Sequence, residues 1–125
     1  MLFRSGQPVD LVVADLSFIS LTLVLPALAA VSKTETDYLV MVKPQFEVGR
    51  EKLGAGGVVR DAQLRQSAVQ EVADVAYDMG LGCKGVVASA LPGPSGNVEY
   101  FLWLKKGAGE LDSNLLNKAI SEGPQ

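Results

Sequence analysis

Val9–Ala14, VDLVVA, is the segment that most limits what this chain can fold into. Five of its six residues are apolar, without alternation. Successive strand side chains point to opposite faces, so such a run suits a strand buried on both, as in a parallel α/β sheet. Asp15 ends the run. Ser17 and Ser20 then offer caps for a helix whose apolar stripe is Leu21, Val24, Leu25, Leu28 and Val31. Pro26 falls inside that stripe, where a helix kinks or begins afresh.

The same strand–helix pattern repeats. Tyr38–Val42 is a second apolar run, and Pro44 holds Lys43 extended and stops the strand. Gln45–Arg60 carries Gly49, Gly54, Gly56 and Gly57 among charges and reads as a long mobile loop of functional type. Asp61 is an N-cap for a helix with Leu64, Ala68, Val72, Val75, Ala76 and Met79 on one face, stopped by Gly80. Lys84–Ala90 reads as a third strand, and the turn-rich LPGPSGN joins it to a fourth, EYFLWLKK. The short connection implies antiparallel pairing, and the continuous apolar run Phe101–Leu104 implies an internal strand. The fold class is therefore α/β, a βαβα unit followed by a β-hairpin, which is half of a doubly wound sheet. Residues 1–106 form this partial domain, and 107–125 a linker with a short helix over Asp112–Ser121.

Composition narrows the function. With 125 residues, a single domain can bury roughly two-thirds of its unfolded surface. There is no histidine, which excludes a Ser-His-Asp or Cys-His hydrolase and a zinc site with imidazole ligands. Cys83 is the single cysteine, so no intrachain disulfide forms and a reducing cytoplasmic setting fits. A net charge of −3 is the wrong sign for a free-standing nucleic-acid binder. The longest apolar stretch falls short of the ~20 residues that span a bilayer.

Three ionisable residues stand at strand ends: Asp15, Lys43 and Glu99. In open α/β sheets ligands bind beyond the carboxyl ends of the strands. If the last strand lies beside the second, all three converge. A lysine between two carboxylates can relay a proton or bind an anion, and in a desolvated site can serve as a general base. Taken singly, each also reads as an ordinary loop charge.

The blocks DLVVADLSFISL, VKPQFEVG, GGVVRD and LPGPSGNVEYFLWL, in this order, resemble the TlyA (haemolysin A) family of ribosomal-RNA 2′-O-methyltransferases, within the FtsJ-like superfamily. The resemblance runs from about Val9 to Lys105 and into AISEGP. It implies the carboxy-terminal half of a Rossmann-like sheet, S-adenosylmethionine as cofactor, and transfer of a methyl group to a ribose 2′-hydroxyl of ribosomal RNA, with cytidine expected. Asp15, Lys43 and Glu99 resemble three members of the family's Lys-Asp-Lys-Glu tetrad. Lys43 would orient or deprotonate the 2′-OH, with Asp15 and Glu99 holding it. Asp15, Ser17 and Phe18 fall where the family lines the methyl-donor pocket. Ser95, Gly96 and Asn97 would sit beside the target nucleotide, where the bland alternative is a tight hairpin turn.

The departures from the family are equally specific. No S4-like RNA-binding domain, glycine-rich cofactor loop, first tetrad lysine or ribose-binding acid precedes Asp15; Gly6 is the one glycine there. The chain thus reads as beginning midway through the methyltransferase domain, with a basic RNA-gripping surface outside it and little activity alone. Loss of neighbouring strands would bare the Val9–Ala14 edge, so self-association through it is expected. Two alternatives come from other classes. One is a membrane-active haemolysin, for which the sequence offers no spanning segment. The other is a non-catalytic module completed by a partner strand.

Overall fold

The computed structural model describes residues 9–15, 20–30, 32–49, 51, 53–91, 93 and 96–123. In chain order these form β1 (Val9–Ala14), α1 (Leu21–Ala30), β2 (Ser32–Val42), α2 (Ala62–Asp78), β3 (Leu81–Ala88), β4 (Tyr100–Lys106) and α3 (Ser113–Glu122). Short 3-10 turns at Pro44–Phe46 and Ala55–Gly57 lie between β2 and α2. The sheet order is β1-β2-β4-β3, with β1 and β2 parallel and β4 antiparallel to both its neighbours. The mixed α/β fold, the parallel first pair, the closing hairpin and the internal place of β4 agree with the sequence reading.

One face of this sheet makes the core. Val12, Ala14, Tyr38, Val40, Val42, Tyr100, Leu102 and Leu104 alternate inward and meet Leu21, Leu25 and Leu28 of α1, Val69, Val72, Ala73 and Ala76 of α2, and Leu116 and Ile120 of α3. A bulge between Cys83 and Gly85 shifts the register of β3, so that Leu81 and Cys83 before it and Val86 and Ala88 after it all pack on this core.

The other face corrects the reading of β1 and β4 as strands with no exposed side. Leu11 and Val13 are 56% and 53% exposed, Val87 59% and Trp103 42%. β1 pairs at a sheet edge with one face packed and the other uncovered by any described helix. A continuous apolar run signals where burial is possible, and here only one layer of helices supplies it.

Several boundaries also move. The second strand begins at Ser32 rather than Tyr38, and the third at Leu81 rather than Lys84. The polar stretch Ser32–Asp37 enters β2 because backbone pairing, not side-chain burial, extends a strand to its ends, while β3 gains the buried Leu81 with Gly82 and Cys83. Pro26 lies within α1, which runs through it without a second start. Asp61 caps α2 as read, its carboxylate accepting from Gln63 N at 2.8 Å. Gly80 closes that helix at φ 87°, in the left-handed region that glycine adopts without strain.

After β4 the chain turns at Gly107 and runs back along β3, where Gly109 O accepts from Cys83 N at 2.9 Å. A Cβ on Gly82 would fall 1.9 Å from Ala108 O, so glycine is what lets the two segments cross. This return path lays α3 on α2 and β3, inside the same core as the rest. Asp112 caps it, accepting from Asn114 N at 2.8 Å.

Candidate active site at the strand ends

Lys43 leaves β2 in an extended conformation, φ −112° and ψ 97°, as the clash with the following Pro44 ring requires. Its backbone oxygen accepts from Phe46 N at 2.9 Å, which starts the 3-10 turn. The side chain is buried, and its Nζ lies 2.6 Å from Asp15 Oδ1 at the end of β1. Asp15 itself is 59% exposed. The pair therefore combines a fixed, largely desolvated ammonium with a carboxylate still open to solvent.

Glu99 reaches the same end of the sheet from β4. Val42 pairs with Tyr100, so Lys43 and Glu99 are the next positions of the same antiparallel register. Glu99 is buried, and its Oε2 accepts from Gln45 Nε2 at 2.9 Å. Gly93 packs against that carboxylate so closely that a Cβ there would lie 2.3 Å from Oε2. Parallel pairing of β1 with β2 and antiparallel pairing of β2 with β4 thus gather Asp15, Lys43 and Glu99 at one sheet end.

Of the remaining residues singled out from sequence, Ser17, Phe18 and Ser95 lie outside the described residues. Gly96 has φ 85° and donates to Gly93 O at 3.0 Å, while Gly93 N donates to Asn97 O at 2.7 Å. This tight turn agrees with the bland alternative for the connection. Asn97 is buried and faces inward: Oδ1 accepts from Val59 N at 2.9 Å and Nδ2 donates to Gly57 O at 3.1 Å. It ties the hairpin turn to the glycine-rich segment, which is anchored rather than loose. Val59 is buried, and Gly54 N donates to Val58 O at 2.8 Å.

Sequence reasoning missed two partners in VKPQFEVG. Gln45 is one. The other is Glu47, which caps α1 from 26 residues away: Leu21 N donates to Oε2 at 2.9 Å and Ser20 Oγ donates to Oε1. Burial pushes the Glu47 carboxyl above the usual range, and the hydrogen bonds from Ser20 and Leu21 pull the other way. No local pattern announces a cap so distant in sequence. A further buried contact lies behind Glu99, where Arg65 Nε donates to Tyr100 Oη at 3.0 Å. Burial raises the Tyr100 hydroxyl, with Arg65 opposing.

The FtsJ-like methyltransferase family model matches residues 2–106. The chain belongs to that family. Over 124 residues it is 54% identical to the 16S/23S rRNA (cytidine-2'-O)-methyltransferase TlyA of Mycobacterium tuberculosis, across 95% of this chain and 46% of that protein. It is 32% identical over 105 residues to the 23S rRNA (cytidine-2'-O)-methyltransferase TlyA of Campylobacter jejuni, across 83% of this chain and 41% of that protein. Among solved structures, a Streptococcus thermophilus protein described as a hemolysin matches with a TM-score of 0.86 and 32% identity, over 94% of this chain and 43% of that one. The FtsJ-like chain thus spans about half the length of the curated relatives it matches. Membership implies S-adenosylmethionine as methyl donor. The described residues suit it in one respect: Asp15, whose position Lys43 fixes, presents an exposed carboxylate of charge opposite to the donor's sulfonium.

Proposed function

We propose that this chain is one part of a domain that transfers a methyl group from S-adenosylmethionine to the ribose 2′-hydroxyl of a cytidine in ribosomal RNA. The single observation that carries the reading is the Lys43–Asp15 ion pair at the joined strand ends, with buried Glu99 opposite Lys43 where the β2–β4 register is continued by one position. When bound, S-adenosylmethionine supplies a methyl carbon on a positively charged sulfur. The accepting 2′-hydroxyl would have to give up its proton on taking that methyl group. Lys43 orients that hydroxyl and manages its proton, Asp15 holds the lysine and balances its charge, and Glu99 adds a second carboxylate at the same sheet end to receive the hydroxyl. Asp15, Ser17 and Phe18 belong to the cofactor side. Ser95, Gly96 and Asn97 shape the nucleotide rim, Asn97 as the strut that fixes its backbone. A ribosomal substrate places the work in the cytoplasm.

The reading is tested in this chain joined to the amino-terminal half of the Mycobacterium tuberculosis relative. Lys43→Ala should lower rRNA methylation at least about 100-fold, some 2.7 kcal/mol in transition-state terms, while the melting temperature holds. Near-normal methylation by that variant would refute the role.

A second reading has its own observation. β1 is an edge strand with Leu11 and Val13 exposed beside it, so the chain pairs through Val9–Ala14 with a second copy or with a partner that completes the sheet. Among the described residues no helix is long and apolar enough to cross a membrane.

A further inference from the structure

Gln45 and Gly93 meet one carboxylate from opposite parts of the chain. Gln45 sits in the turn after β2, 54 residues from Glu99, and donates to it through a buried hydrogen bond. Gly93 sits in the β3–β4 connection, and only the missing Cβ lets it lie against the same group. The backbone of Glu99 is fixed too, its oxygen accepting from Ser89 N at 2.7 Å.

The amide of Gln45 shows what this arrangement serves. Its nitrogen faces Glu99, and its oxygen Oε1 is buried with no hydrogen-bond partner. The orientation follows from chemistry, since an ionised carboxylate accepts hydrogen bonds and would repel the amide oxygen. A residue selected only to fill this space would be apolar and would leave no carbonyl stranded, which is costly in a buried site. The fold tolerates the stranded oxygen because the nitrogen is needed at Glu99.

We propose that Gln45 and Gly93 form a clamp that positions the Glu99 carboxylate for recognition of the ribose hydroxyl, Gln45 by its hydrogen bond and Gly93 by withholding a side chain. Neither is a catalytic residue; both act through Glu99. The proposal rests on the methyltransferase reading, and the test separates the two.

This chain, joined to the amino-terminal half of the Mycobacterium tuberculosis relative, is titrated with cytidine and with 2′-deoxycytidine, following the backbone amides of Lys43, Glu99 and Tyr100 by NMR. The unsubstituted chain should prefer cytidine about tenfold, and Gln45→Met should bring the two ligands within about twofold while the melting curve and the remaining resonances are preserved. Gly93→Ala should do the same by displacing the carboxylate, and its effect should vanish in a Glu99→Ala background, where nothing is left to displace. A preference for cytidine that survives Gln45→Met in a folded chain would overturn the clamp and leave the methyltransferase reading standing. No preference for cytidine in the unsubstituted chain would overturn both.

Discussion

Asn97 illustrates how one side chain can decide a loop. Its amide holds both the N–H of Val59 and the carbonyl of Gly57, two groups in a segment with no regular pairing of its own. Asn97→Ala leaves a buried backbone N–H without its acceptor and should cost about 1–3 kcal/mol, read as a lowered midpoint in urea with an unchanged slope. Asn97→Asp keeps the acceptor for Val59 but turns a carboxyl oxygen toward Gly57 O in a buried site, so it should be milder than Asn97→Ala only at acid pH, where the protonated carboxyl can donate. Equal losses for the two at acid pH would show that the bond to Val59 is not what matters. Lys43 is the contrary case. Its partner Asp15 is mostly exposed, and a half-exposed pair contributes little to stability. Loss of function at Lys43 is therefore separable from loss of fold.

Among the elements, α1 depends on a distant group for its start. Leu21 N and the Ser20 hydroxyl both use the Glu47 carboxylate, so the turn after β2 and the first turn of α1 form or melt together. Glu47→Ala should destabilise by about 1 kcal/mol, the usual worth of an N-cap. The pH dependence has a definite sign. Burial raises the folded-state affinity of Glu47 for a proton above that of the unfolded chain, so its contribution is complete below the unfolded value and declines as pH rises through the folded one. Glu47→Gln keeps an acceptor and removes the charge. Its melting temperature should fall less than that of the unsubstituted chain between about pH 4 and pH 7. Identical slopes for the two proteins would show that the carboxyl is not desolvated.

At the scale of the whole molecule, the described helices cover one sheet face and leave the other bare. Leu11, Val13, Val87 and Trp103 form an exposed apolar surface that reaches the unpaired edge of β1, a combination that favours association. Trp103 is the only tryptophan and stands on that face, its Nε1 donating to Asp37 Oδ1 at 2.8 Å and Lys84 Nζ 4.7 Å from its ring centroid. Its emission should move to shorter wavelength as protein concentration rises, in step with a dimer mass by light scattering. Val13→Lys should hold the chain monomeric and the emission fixed. A monomer with constant emission across the concentration range would remove the association reading.

The elements, and the placing of Asp15, Lys43 and Glu99 at strand ends, were legible in the sequence because each rests on local signals; that the three meet depended on β4 pairing with β2, which the fold decided. Nonalternating apolar runs, Pro44 after Lys43, Asp61 ahead of a helical stripe and a short turn-rich connection all act over a few residues. Even the order of the site blocks is a property of the chain read in line. Tertiary structure alone decided which face of the sheet is covered, since an apolar residue carries the same letter whether a helix lies on it or not. It also decided the partners of Gln45, Glu47 and Gly93, because hydrogen bonds across 26 or 54 residues and the absence of room for a methyl group depend on packing, which no local pattern encodes.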